Sequence, residues 1–300
     1  MNRKGIIGLV FIIVMSLALS ACGGSGKKDN TLVIGAQNYT DPLIIANMYK
    51  ALIEDRTDLK VKIKQDLASS PIVIDALKMD EIQMATLYTG EVFNNYFEVE
   101  QTKDRQQVLK LAQEGFDEHY GFKWFDPYGY ENTYVFAVRE DLAAEHHLNK
   151  ISDVEDMAGD MTVGVDTTWL ERDDIGYRVF QKEYGFSFKE ALPMQIGLVY
   201  EAAANKKVDI VLAYSVDPGL IEYNLQTLQD DKQFFYPYDA SPVVRKDMLE
   251  QHPDLEEAVN LLVGKIDAKT MTQLCYEVEV EKQSAQKVAV AFLQEIGLLQ

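Results

Sequence analysis

Short β-branched runs alternate with stretches whose apolar residues recur every three or four positions, and this alternation continues along nearly the whole chain. Residues 31–36, Thr-Leu-Val-Ile-Gly-Ala, read as a strand ended by glycine. Asp41 is a capping residue with Pro42 at the first helical position. Ile44, Ile45, Met48, Leu52 and Ile53 follow at helical spacing, so an amphipathic helix is expected over 42–56. Residues 59–64 alternate apolar with polar, the mark of a strand with one solvated face. Further strands are expected over 82–87, 133–138, 161–165 and 208–213. Helices are expected over 71–79, 103–119, 173–184, 198–205, 246–251, 254–263 and 281–296. A chain that keeps switching between these two periods belongs to the α/β class, and largely parallel sheets are expected. Its 300 residues are enough for one large domain or two of moderate size.

The N-terminus reads differently. Arg3 and Lys4 precede residues 5–19, which carry no charge, and Leu19-Ser20-Ala21-Cys22-Gly23-Gly24 follows. A basic start, a short apolar stretch and small residues at its end form a secretory signal over 1–21; the other reading is a buried N-terminal helix. Leu-Ser-Ala-Cys resembles the bacterial lipobox, which implies a diacylglyceryl group on Cys22 holding the exported protein at the outer face of the cell membrane. Residues 22–30 then form a polar tether. A lipid anchor is what a cell with a single membrane needs, so a Gram-positive source is expected.

Charge and chemistry narrow the function. With 48 acidic against 29 basic residues and a net charge of −19, the chain has little to offer nucleic acid. An apolar fraction of 47% is that of a folded protein, not an acidic disordered one. Its two cysteines, Cys22 and Cys275, rule out a disulfide scaffold, and Cys275 reads as a small buried hydrophobe. His119, His146, His147 and His252 lack zinc-ligand spacing, and the chain has neither a Gly-x-Ser-x-Gly elbow nor a phosphate-cradling glycine loop. Asp166, Asp173 and Asp174 lack the alternating oxygen ligands of an EF-hand. An exported binding protein with no cofactor and no metal is expected, not an enzyme.

Five motifs carry a more specific signal. They are Ile34-Gly35-Ala36-Gln37-Asn38-Tyr39-Thr40, Leu87-Tyr88-Thr89-Gly90, Tyr130-Glu131-Asn132-Thr133-Tyr134, Ala213-Tyr214-Ser215-Val216-Asp217, and Tyr236-Pro237-Tyr238-Asp239-Ala240-Ser241-Pro242. In this order they resemble the glycine betaine/carnitine/choline-binding proteins of ABC importers, over essentially all of the exported chain. The resemblance implies a two-lobed periplasmic-binding-protein-like fold of type II with the ligand cleft between the lobes. Lobe I would be residues 30–131 plus 237–300 and lobe II residues 132–236. It also implies partners in trans, a membrane permease and its ATPase. In that family a trimethylammonium group sits in a box of aromatic rings, and the matching residues here are Tyr88, Tyr134, Tyr214 and Tyr238, with Tyr236 able to exchange roles with Tyr238. The chemistry is apt: a quaternary ammonium has no N–H to donate, and its diffuse charge suits the electron-rich faces of aromatic rings.

Two further residues follow from the resemblance. Arg172 matches a position that binds the ligand's carboxylate; its other reading is a surface arginine satisfied by Glu171, Asp173 or Asp174. Gln37 matches a contact to the ligand's polar end, or is a turn residue. Trp169 either walls the cleft or belongs to the core. Glu91 departs from the family pattern, in which Thr or Asp is usual. A carboxylate beside the box would favour a cation such as choline and repel the carboxylate of a betaine; its plainer reading is an exposed glutamate at a helix start. Choline is therefore slightly favoured over glycine betaine and carnitine. A bulkier betaine such as ergothioneine, a non-transport surface lipoprotein, and an enzyme on the same scaffold are the rivals.

Overall fold

The computed structural model describes residues 30–300, and the signal, lipobox and most of the tether, Cys22 included, lie outside them. Ten strands form two five-stranded sheets. In chain order the strands are β1 (Thr31–Gln37), β2 (Lys60–Leu67), β3 (Met84–Tyr88), β4 (Phe122–Trp124), β5 (Tyr134–Arg139), β6 (Thr162–Asp166), β7 (Glu190–Met194), β8 (Ile210–Tyr214), β9 (Leu225–Leu228) and β10 (Ala240–Arg245). The α-helices are α1 (Thr40–Arg56), α2 (Ser70–Lys78), α3 (Arg105–Tyr120), α4 (Glu140–His146), α5 (Thr167–Leu170), α6 (Tyr177–Tyr184), α7 (Ile196–Ala204), α8 (Gly219–Glu222), α9 (Lys246–Gln251), α10 (Asp254–Asn260), α11 (Ala268–Glu279) and α12 (Ala285–Glu295).

The first sheet has the order β2-β1-β3-β10-β4 and the second β7-β6-β8-β5-β9. Each is covered on both faces. Ile44, Met48 and Leu52 of α1 pack one face of the first sheet together with Val259, Leu274 and Phe292 of the C-terminal helices. Val73 and Leu77 of α2 with Val108 and Phe116 of α3 cover the other. The second sheet has an aromatic side, where Phe136, Trp169, Phe180, Phe188 and Phe234 cluster, and a side closed by Val199, Tyr200 and Ala203 of α7. Layered burial of this kind is what an α/β chain must reach to cover its sheets.

The sheets are mixed, which corrects the expectation of largely parallel ones. β1 pairs β3 in parallel, as β6 pairs β7 and β8. β10 runs antiparallel to β3 and β4, and β5 antiparallel to β8 and β9. The two reversed strands are those that begin where the chain passes between the sheets. β5 enters the second sheet and β10 re-enters the first, and a strand inserted from the neighbouring sheet has no crossover helix to turn it parallel. The two passages lie side by side. Glu131 bridges Asp239, the Asn132 N–H donates to the Tyr238 carbonyl at 3.1 Å, and the Ala240 N–H donates to the Tyr130 carbonyl at 3.0 Å. Arg105, on the first turn of α3, clamps both passages through Glu131 (2.7 Å) and Asp239.

Other departures are local. α1 begins at Thr40, so Asp41 lies inside its first turn and does not cap it. The helix is also buried on more than one side, because the C-terminal helices pack on the face turned away from the sheet. Residues 173–184 contain helix only from Tyr177. Helices α4, α5, α8 and α11 and strands β4, β7, β9 and β10 have no counterpart in the sequence reading. β4 is three residues long and Pro interrupts β7 and β10, which hides their strand signal.

Candidate functional site

A cavity of about 780 Å³ opens where the two sheets face each other, lined from both. Strand ends feed it: β1 finishes at Gln37, β3 at Tyr88 and β8 at Tyr214, while β5 starts at Tyr134. Open α/β sheets present their ligands at such ends. Seven of the residues singled out in the sequence, Gln37, Tyr88, Glu91, Tyr134, Arg172, Tyr214 and Tyr238, line this one cavity.

The tyrosines form two stacked pairs. Tyr134 and Tyr214 are direct cross-strand partners on β5 and β8, and this register sets their rings 5.1 Å apart at 19°. Tyr88 and Tyr238 stack at 5.7 Å and 23°, because Ala240 of β10 pairs with Tyr88 and carries Tyr238 in just before it. Gly90 makes that approach feasible: a Cβ there would lie 2.1 Å from the Tyr238 ring. Tyr236 also lines the cavity, its ring 5.0 Å from that of Phe93. Both candidates of the Tyr236/Tyr238 choice are thus at the cavity, and the one stacked in a pair is Tyr238.

Glu91 is 2% exposed, in the 3₁₀ turn Thr89–Phe93 that follows β3, so the reading as an exposed helix-start residue does not hold. Its carboxylate accepts from Asn94 Nδ2 at 2.7 Å, from the Tyr238 hydroxyl at 3.3 Å and from Ser70. Gln37 Nε2 donates to Ser70 Oγ at 2.8 Å, which ties Gln37 into the same network. Burial pushes the Glu91 carboxyl above the usual range, against the pull of these hydrogen bonds.

Arg172 satisfies both of its readings at once. It lines the cavity, and it also donates through Nε (2.9 Å) and Nη2 (2.7 Å) to the two carboxylate oxygens of Asp174. That bidentate partner holds the Asp174 carboxyl below its ordinary range. A ligand carboxylate would have to share the guanidinium with Asp174. Trp169 is fully buried in the aromatic core against Phe136 and Tyr177 and does not line the cavity.

Several lining residues were not singled out by sequence reasoning. Asp41 is 3% exposed, and its carboxylate accepts from the hydroxyls of Tyr88 (2.8 Å) and Tyr130 (3.1 Å) and from Asn132 Nδ2 (3.3 Å). Burial raises its carboxyl to about 6. An acid followed by proline imitates a helix cap so well that the pattern concealed it. Asn132 sits inside the quoted Tyr130–Tyr134 motif and Asp217 at the end of the Tyr214 motif, so their positions were on view although their part in the site was not. Cys275 and Glu279 reach the cavity from α11, a helix absent from the sequence reading. Cys275 is indeed buried, and burial pushes its thiol well above the ordinary value.

The lining therefore brings five carboxylates, of Asp41, Glu91, Asp174, Asp217 and Glu279, against the single guanidinium of Arg172 among the described residues. Aromatic faces and an excess of acid make a cavity that favours a positively charged, apolar-surfaced guest.

The chain matches the family model OpuAC, substrate binding domain of ABC-type glycine betaine transport system, over residues 30–295. The carnitine transport binding protein OpuCC of Listeria monocytogenes is 40% identical over 299 residues, 98% of this chain and 97% of that protein. A solved structure described as a glycine betaine/carnitine/choline ABC transporter superposes with a TM-score of 0.86 at 36% identity, covering 89% of this chain and 99% of that one. Apo YehZ of Escherichia coli superposes with a TM-score of 0.80 at 26% identity, covering 90% and 99%.

Proposed function

The chain belongs to the family of substrate-binding domains of ABC-type glycine betaine transport systems, and from that premise we propose that it is the receptor of an importer for quaternary ammonium osmoprotectants, with choline as its preferred ligand. The observation that carries this reading is the cavity walled by the Tyr88–Tyr238 and Tyr134–Tyr214 pairs with Glu91 beside them. The trimethylammonium group lies among the rings. Each ring contributes about 0.5–1 kcal/mol when exposed and about 2 kcal/mol when desolvated. The ligand's hydroxyl donates to the buried Glu91 carboxylate. A zwitterion gains less, since Glu91 repels its carboxylate and Asp174 already occupies Arg172.

Lobe I comprises residues 30–131 and 237–300, lobe II residues 132–236, and the paired passages at Glu131 and Asp239 are the hinge about which they close on the ligand. The receptor is held at the outer membrane face by lipid on Cys22 and delivers its ligand to a permease and ATPase in trans. Membership of the family supports the partners in trans, and the Leu19-Ser20-Ala21-Cys22 motif supports the lipid anchor.

Charge tests the box directly. Choline and 3,3-dimethylbutanol have the same shape and hydroxyl, and only choline is a cation. The full-length chain is expected to bind choline at least tenfold more tightly in calorimetric titration, since cation–π attraction needs the charge. Equal affinities would mean a site that reads shape alone and would overturn the tyrosine box.

A further inference from the structure

Asp41 stands behind the proposed box, and its surroundings give it a definite task. It is almost wholly buried, on the first turn of α1, where the N-terminal end of a 17-residue helix favours negative charge. Its hydrogen-bond donors, Tyr88, Tyr130 and Asn132, are all neutral, and among the described residues no Lys or Arg forms an ion pair with it. The groups packed around it are Tyr88 from β3, Tyr128, Tyr130 and Asn132 from the passage into β5, and Cys275 from α11 with Asp217 and Glu279 beyond. None of these carries positive charge. A buried carboxylate without a counter-ion is costly, and a structure keeps one chiefly where the charge has a use. Because Asp41 also lines the cavity, a cation seated there is the positive partner that its own surroundings do not supply.

We propose that Asp41 is a positioning residue of the binding site, fixing the Tyr88 ring and making it a stronger partner for a cation, and linking that ring to the interlobe passage through Tyr130 and Asn132. This rests on the reading of Tyr88 as a box residue. The physics has two parts. A phenol that donates to a carboxylate is locked about its C–O bond, and its ring gains electron density, which deepens the attraction for a cation over its face. The same carboxylate oxygen takes the Tyr130 hydroxyl, so that the box ring and the passage into β5 share one anchor. Tyr130 in turn stacks on Tyr128 at 6.0 Å, and Tyr128 shares a hydrogen bond with Thr86 at 3.0 Å, which holds the anchor from behind.

Asp41→Asn keeps the size and an acceptor oxygen while removing the charge. In the full-length chain it is expected to weaken choline binding about fivefold at neutral pH and to leave 3,3-dimethylbutanol unchanged. Tyr88→Phe removes the donating hydroxyl and keeps the ring; in that background Asp41→Asn should cost clearly less than fivefold. The pH profile supplies a readout that a packing role would not move. Burial holds the Asp41 carboxyl at about 6, so the parent's choline affinity should fall as pH drops through that value, and the variant should lack this step. Glu91, Asp217 and Asp239, whose carboxyls burial also raises, titrate in both proteins, so the difference between the profiles belongs to Asp41. Stability has the opposite sign. A carboxyl raised by folding stabilises below its unfolded value and loses that contribution as pH rises through about 6, so Asp41→Asn should melt no lower than the parent at pH 7. Parent-like choline affinity in Asp41→Asn overturns the role of Asp41 and leaves the box intact. A parent that binds neither probe removes the box, and this assignment with it.

Discussion

Replacing Glu91 by threonine is expected to shift the ratio of choline to glycine betaine affinity by about a hundredfold in favour of the betaine. Glu91 acts on the two ligands with opposite sign. For choline its buried carboxylate is both a charge partner and a hydroxyl acceptor, and losing it costs about 1.4 kcal/mol, a factor of ten. For glycine betaine the same carboxylate faces another, and removing it returns a similar amount. Burial strengthens both effects, because Glu91 is 2% exposed and water screens it little. Threonine keeps a hydroxyl to satisfy Asn94 and the Tyr238 hydroxyl, now bonded to Glu91 at 2.7 and 3.3 Å. Paired calorimetric titrations of parent and variant measure the ratio. A ratio that stays put would mean that Glu91 only organises the turn after β3. The parent's choline affinity should also decline as pH falls through the raised Glu91 value, and in Glu91→Thr that part of the decline should vanish.

Tyr214→Leu is expected to weaken choline binding about thirtyfold, whereas Tyr214→Phe should stay within a few-fold of the parent. A desolvated ring–cation contact is worth about 2 kcal/mol, and leucine restores the apolar volume without the electron-rich face. Tyr214 is the ring best suited to the test. It is only partly buried and ends β8, so its loss leaves the strand pairing of β5 and β8 in place. Tyr88, by contrast, is 4% exposed and hydrogen-bonded to Asp41, so its truncation would disturb packing as well as binding. Thermal melting separates the two effects in Tyr214→Leu. Loss of the stack on Tyr134 should cost about 0.5–1.5 kcal/mol of stability, well short of unfolding the lobe. Parent-like affinity in the leucine variant would exclude Tyr214 from the box.

How far the sequence spoke depended on what each residue answers to. Periodicity found α9 to the residue and most other long elements to within a few residues, since a buried face leaves its period in the chain. It failed at β10, where Pro242 sits in a strand, and at α11, whose pattern was not read although Met271, Leu274 and Cys275 bury one face. Parallel pairing was over-expected because alternation says nothing about a strand inserted from the other sheet. For the site, short motifs at or beside strand ends contain five of the cavity residues, Gln37, Tyr88, Tyr134, Tyr214 and Tyr238, since register fixes where such residues point, whereas Arg172 and Glu91 were reached only by comparison with the family pattern. Asp41 was missed for a physical reason: cap and buried acid share one local pattern, and only the distant Tyr88, Tyr130 and Asn132 tell them apart. The bidentate lock between Arg172 and Asp174 is local in sequence, yet nothing local said that the pair would face a cavity.

Calorimetric titration of the full-length chain with choline, glycine betaine, carnitine and ergothioneine in parallel shows whether this cavity holds a quaternary ammonium cation among its tyrosines. Binding is expected near the micromolar range, which corresponds to about 8 kcal/mol, with choline tightest of the four. A zwitterion bound more tightly than choline would keep the box and contradict the role given to Glu91. No heat from any of the four would mean that the cavity does not hold a quaternary ammonium cation.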